Sequence, residues 1–200
     1  MIGIINYGLG NVGALKNIFF EANIEIKIIS NPGEIDNNID KLILPGVGSY
    51  DNAIRLLIEK NLFNAIKKFS QIKENFILGI CVGMQILGQD SEEGSAKGLN
   101  LIPGNVFKFS SKFITPNMGW HKITENKQSL LLKNITHEDE FYFLHTYYFK
   151  TKSDDNILTI SKYYHNFTSI INKDNIFGIQ FHPEKSHDSG KKILTNFNNL

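Results

Sequence analysis

Cysteine occurs once in these 200 residues, tryptophan once and proline five times. A lone cysteine excludes an intrachain disulfide, and an unpaired thiol fits a reducing compartment. The six histidines show no metal-ligand spacing with it, so neither a metal nor another cofactor is expected. A surplus of charge is also missing, since 21 basic side chains balance 20 acidic ones to a formal net charge of +1. Nothing in that balance asks for nucleic acid or a charged membrane surface as a partner. No apolar stretch approaches the length of a membrane span, and the opening Met1-Ile2-Gly3-Ile4-Ile5-Asn6 lacks a basic leader. A cytoplasmic location is the expectation. No linker, repeat or low-complexity tract interrupts the chain, so a single domain over residues 1–200 is expected.

What is present is alternation. In the first half, short apolar runs alternate with longer amphipathic patterns. Residues 2–6, 24–29, 41–44 and 76–80 read as strands, 11–22 as a helix, and 51–69 as a helix with Ile54, Leu57, Ile58, Leu62, Ala65, Ile66 and Phe69 at helical intervals. The second half is richer in aromatics and turn residues. Residues 105–109, 140–145, 157–162, 167–172 and 176–182 read as strands, some of them antiparallel, and a closing helix starts at Ser186 or Asp188. This order predicts an α/β fold: an open, mostly parallel, doubly wound sheet with helices on both faces.

The single cysteine sits in Gly79-Ile80-Cys81-Val82-Gly83, between the apolar Phe76-Ile77-Leu78 and the helix-like Met84-Gln85-Ile86-Leu87. Small residues on both sides allow a sharp turn from strand to helix, which would hold a thiol at a helix start, where thiolates are favoured. Downstream, Phe181-His182-Pro183-Glu184 offers an imidazole and a carboxylate two residues apart, the base and orienter that a thiol nucleophile needs. Taken singly, Cys81 could be a small buried hydrophobe, His182 a satisfied histidine and Glu184 a solvated carboxylate. Together they read as a Cys-His-Glu triad.

Two glycine-rich turns need separate readings. Gly8-Leu9-Gly10-Asn11-Val12-Gly13 fits the dinucleotide pattern G-x-G-x-x-G between a strand and a helix. That reading requires an acidic residue at the end of the second strand, but this strand ends Ile28-Ile29-Ser30-Asn31, with Glu34 and Asp36 beyond it. A packing turn fits better than an oxidoreductase. Leu44-Pro45-Gly46-Val47-Gly48-Ser49 has no titratable side chain. It is either an ordinary turn or a backbone donor site, in which the N–H groups around Gly46, Val47 and Gly48 join that of Val82 in facing an oxyanion.

These motifs resemble the class I glutamine amidotransferases, and within them the glutaminase subunits of imidazole glycerol phosphate synthases. The likeness runs through Asn6-Tyr7-Gly8-Leu9-Gly10-Asn11, Pro45-Gly46-Val47-Gly48, the Cys81 elbow, Ser91-Glu92-Glu93-Gly94, Met118-Gly119-Trp120, Tyr142 to Tyr148, and Gln180 to Ser186. It implies glutamine hydrolysis through a Cys81 thioester, with His182 moving protons and Glu184 orienting it. It also implies a glutamine pocket lined by Gln85, His145, Thr146 and Tyr147. The implied partner is a (β/α)₈-barrel synthase that receives ammonia and meets Asn6, Tyr7, Asn11, Trp120 and Lys185. Without that resemblance, the same residues read as a packing turn, a core indole and a solvated lysine. Val82, Asn117, His121 and Thr146 stand where leucine, histidine, asparagine and serine are common. Three of these lie on the partner side and leave open an alternative acceptor, an enzyme that amidinates surface sugars or nonulosonic acids.

Overall fold

A computed structural model describes all residues, 1–200. Its first half runs β1 (Ile2–Ile5), α1 (Val12–Glu21), β2 (Ile26–Ile29), β3 (Lys41–Leu44), α2 (Tyr50–Glu59), α3 (Leu62–Phe69), β4 (Phe76–Ile80) and the one-turn α4 (Val82–Gln85). The second half adds β5 (Asp90–Ser91), β6 (Gly104–Lys108), β7 (Asn117–Lys122), β8 (Thr124–Glu125), β9 (Glu140–His145), β10 (Tyr147–Thr151), β11 (Ile157–Lys162), β12 (Asn166–Lys173), β13 (Ile176–Ile179) and α5 (His187–Asn198).

Eight strands form the main sheet in the order β2-β1-β3-β4-β13-β12-β11-β8. The first five are parallel, and the remaining three continue antiparallel. β1 and β13 are buried at every position, as their unbroken apolar composition requires when both faces of a sheet are covered. Right-handed crossovers put α1 on one face, where it meets α5, and α2 and α3 on the other. The doubly wound expectation therefore holds, with its antiparallel extension. No helix is long and apolar enough to cross a membrane.

Two local expectations change. The amphipathic stretch 51–69 is two helices, because Asn61 adopts the left-handed conformation (φ 59°) between them. Asparagine tolerates that region better than most residues, so the hydrophobic period survives a break in the backbone. Strands β7 and β10 were not expected from the pattern. The inward positions of β7 are Asn117, Gly119 and His121, polar or small groups that hide the usual apolar alternation. β7 pairs antiparallel with β9, placing Asn117 opposite His145 and Trp120 opposite Tyr142. β10, β6 and β5 form a further small sheet. Both small sheets send phenylalanines, among them Phe141, Phe143 and Phe149, into the same apolar cluster as the isoleucines of the main sheet.

The consequence for function is directional. β1, β3, β4 and β13 are parallel neighbours, so the segments that follow them leave the sheet at one end. The Asn6 turn, the Gly46 loop, Cys81 and His182 meet there, beyond the carboxyl ends of the strands, where open α/β sheets place their ligands.

Candidate active site

Cys81 is the hinge between β4 and α4, with φ 54° and ψ −111°. A residue with a side chain enters this region only when its surroundings force it, and such strain concentrates at functional turns. The surroundings here are glycines. A Cβ on Gly79 would lie 2.7 Å from the backbone nitrogen of Met84, one on Gly46 would lie 2.6 Å from that of Gly83, and one on Gly83 would overlap the Leu44 carbonyl. Backbone thus packs directly on backbone, and the thiol is left at the surface of a cavity.

His182 follows β13, and its backbone N–H donates to the Tyr142 carbonyl at 2.9 Å, tying it to β9. Its Nδ1 lies 3.0 Å from Glu184 Oε1, with both side chains almost fully buried. That contact leaves Nε2 for the sulfur. Burial works against a charge on the ring, but the neighbouring Cys81 and Glu184 outweigh it. The ring is raised from 6.5 to about 10. The Glu184 carboxylate at Nδ1 and the nearby Cys81 favour the charged form of the ring.

The cavity beside these groups has a volume of about 250 Å³ and is lined by Val47, Gly48, Cys81, Val82, Gln85 and His182, together with Leu144 to Tyr147. That is below the usual range of drug-sized clefts and suits an amino acid. A roomier hollow of about 590 Å³ lies near the amino ends of β3 and β4, lined by Asp36, Asn61, Lys68 and Asn75 among others, and it pairs no nucleophile with a base. The second histidine of the small cavity behaves opposite to the first. His145 is buried, its Nδ1–H donates to the Tyr147 carbonyl at 2.8 Å, and its Nε2 accepts from Asn117 Nδ2 at 3.0 Å. Burial drives its pKa down to about 3, so it remains neutral.

Val47, Gly48 and Val82 line the cavity, whereas Gly46 packs behind it against the elbow. Gln85, Thr146 and Tyr147 line it as well. Trp120 is 42% exposed and stacks on His187 with ring centroids 5.1 Å apart. Lys185 is exposed above the Tyr142 ring. Asn6 is half-buried, and the Asn11 side chain caps α1 by accepting from the Ala14 N–H at 3.1 Å. Tyr7 corrects the expectation of an interface residue. It is completely buried and donates its hydroxyl to the Pro45 carbonyl at 2.7 Å, so it fastens one loop to another inside the fold. Glu93 and Pro116 also line the cavity without having been singled out. Glu93 is half-buried there and accepts from the Tyr50 N–H, and burial raises its pKa.

The model of the family described as glutamine amidotransferase class-I matches residues 3–199. The chain belongs to this family. Among similar members are the imidazole glycerol phosphate synthase subunits HisH of Leptospira interrogans, 40% identical over the full length of both chains, and HisH 2 of Methanococcus maripaludis, 43% identical over 98% of each. Solved structures agree on the class I amidotransferase fold. PurLQS from Thermotoga maritima superposes with a TM-score of 0.76 at 18% identity, covering 99% of this chain and 97% of that one. A crystal structure described as a glutamine amidotransferase gives the same TM-score at 15% identity, covering 98% of both.

Proposed function

We propose that this chain is the glutaminase subunit of an imidazole glycerol phosphate synthase in histidine biosynthesis, working through Cys81, His182 and Glu184. The observation that carries the reading is that Cys81 and His182 line one amino-acid-sized cavity, with the His182 Nδ1 3.0 Å from the buried Glu184 carboxylate. The thiolate attacks the side-chain amide carbon of glutamine, forming a carbon–sulfur bond. Backbone N–H groups at Val47, Gly48 and Val82 face the developing oxyanion. The proton on His182 passes to the amide nitrogen, the carbon–nitrogen bond breaks, and ammonia leaves a glutamyl thioester. His182, now neutral, takes a proton from water as the oxygen attacks the thioester. Glutamate leaves and the thiolate–imidazolium pair is restored. Glu184 keeps the ring oriented throughout. Glu93, which also lines the cavity, suits the ammonium group of the amino acid, and neutral His145 adds no competing positive charge.

Ammonia released into bulk water is protonated and lost as a nucleophile, so this chemistry favours delivery to a docked acceptor. The acceptor in this reading is a (β/α)₈-barrel synthase subunit acting on a phosphorylated ribulosyl nucleotide in the cytoplasm. It would seat on the face where Trp120 and Lys185 are exposed beside the cavity. Aromatic side chains of this kind anchor protein interfaces.

Glutamate release tests both halves of the proposal. The isolated chain should release glutamate slowly and accelerate with the barrel synthase and its ribonucleotide. Cys81→Ala should reduce release by roughly a thousandfold or more. Undiminished release by Cys81→Ala would overturn the chemistry. Stimulation only by a sugar-amidinating enzyme would overturn the acceptor and leave the chemistry standing.

A further inference from the structure

Besides the Leu144 carbonyl 4.0 Å away, the Cys81 sulfur has the Gln180 amide as a polar neighbour. β4 and β13 pair in parallel with Ile80 opposite Ile179, so the next residues, Cys81 and Gln180, lie side by side. Gln180 is completely buried, and its Nε2 is 3.7 Å from Cys81 Sγ. A buried amide is costly unless its ends are paired, and here both are.

Its orientation follows from its partners. The Tyr147 carbonyl can only accept, so the Gln85 atom 3.1 Å from it is the amide nitrogen. The same nitrogen donates to Gln180 at 3.2 Å, so the receiving atom there is Oε1. The end of Gln180 that faces the sulfur is therefore its NH₂. This wiring uses both N–H groups of Gln85 and leaves its oxygen without a protein partner on the cavity wall.

We propose that Gln180 is a further catalytic residue, an N–H donor to the Cys81 thiolate that holds the sulfur charged and aimed at the cavity. The inference rests on the reading of Cys81 as nucleophile. An amide has no proton to give up at working pH, so Gln180 does not compete with His182 as base. It supplies a fixed dipole that favours the sulfur while it is negative. The bond weakens once the sulfur is acylated and returns when the thioester is hydrolysed. Because Gln180 also receives Gln85, the donor at the nucleophile and the amide on the glutamine wall are set by one contact.

The test is the pH profile of Cys81 alkylation by iodoacetamide in the full chain, read by mass spectrometry, with glutamate release measured alongside. Gln180→Leu removes the donor, whereas Gln180→Glu keeps the shape and the acceptor for Gln85 but turns an oxygen toward the sulfur. The alkylation profile should move to higher pH by about one unit in the first and by more in the second, since hydrogen bonds to a charged form shift its titration by about a unit or more. Both variants should recover as pH rises, and in Gln180→Glu, which keeps the acceptor for Gln85, kcat should fall with KM for glutamine little changed. A profile that superposes on wild type in a folded variant, as judged by circular dichroism, would overturn the proposal, even if its melting point fell. Should Gln180→Leu fail to fold, Gln180→Glu alone decides. A wild-type Cys81 that neither alkylates nor matters for glutamate release would remove the nucleophile itself, and that result is independent of residue 180.

Discussion

Two glycine-rich turns leave the sheet at the same end, and only one of them is packed to its limit. In the Cys81 elbow, any side chain added at Gly79 or Gly83 meets backbone. In the turn after β1, Gly10 has a positive φ of 89° and touches Pro45, whereas Gly13 has nothing within 4 Å. On paper the second turn carries the better-known motif. In space it serves as a helix entry, with Asn11 capping α1. The difference teaches that a glycine pattern gains its meaning from what presses on it.

Substitutions can break or sharpen that contrast. Gly83→Ala should have the largest effect, because its Cβ would overlap the Leu44 carbonyl and neither backbone can yield. Loss of soluble protein, or destabilisation of more than about 4 kcal/mol in urea titration, is expected. Near-native stability would show that the elbow is no tighter than the other turn.

Next, Glu184→Gln should cut kcat for glutamate release by roughly a hundredfold or more while leaving the fold intact. It should also move the pH profile. His182 is raised from 6.5 to about 10, so in the folded enzyme the ring holds its proton through neutral pH and loses it as pH climbs through the upper value. Wild-type activity should therefore fall on the alkaline side near pH 10, and the variant should fall at lower pH because one of the two groups holding the proton is gone.

Gly10→Ala comes third. It combines a positive φ of 89° with a Cβ only 2.6 Å from that of Pro45, so a loss of about 1–3 kcal/mol is expected in the same titration. Gly13→Ala should be the mildest. It sits in open space in the first turn of α1 and should be neutral or stabilising by up to about 1 kcal/mol. A large loss there would erase the distinction between the two turns.

Most of the parallel half was legible because buried parallel strands advertise themselves as unbroken apolar runs, as in Ile2 to Ile5 and Ile77 to Ile80. The grouping of Cys81, His182 and Glu184 was legible for a related reason, since each follows such a run and parallel strands deliver their ends to one edge. What escaped the sequence depends on partners far away in the chain. β7 was hidden because Asn117 faces inward to satisfy His145 and His121. Tyr7 was placed at the partner interface by resemblance alone, and its burial depends on the Pro45 carbonyl, which accepts from its hydroxyl. Gln180 reads as an ordinary strand-end amide, and its contact with sulfur exists only through the register of β4 on β13.

That register has a consequence for how the protein can fail. Sulfur and imidazole hang from adjacent strands in the middle of the sheet, not from surface loops, so their mutual distance is a property of the rigid interior. Thermal fraying of the outer strands should cost little turnover, and inactivation should coincide with global melting. Heat-treated enzyme should therefore divide into fully active and fully dead molecules, with few sluggish ones between.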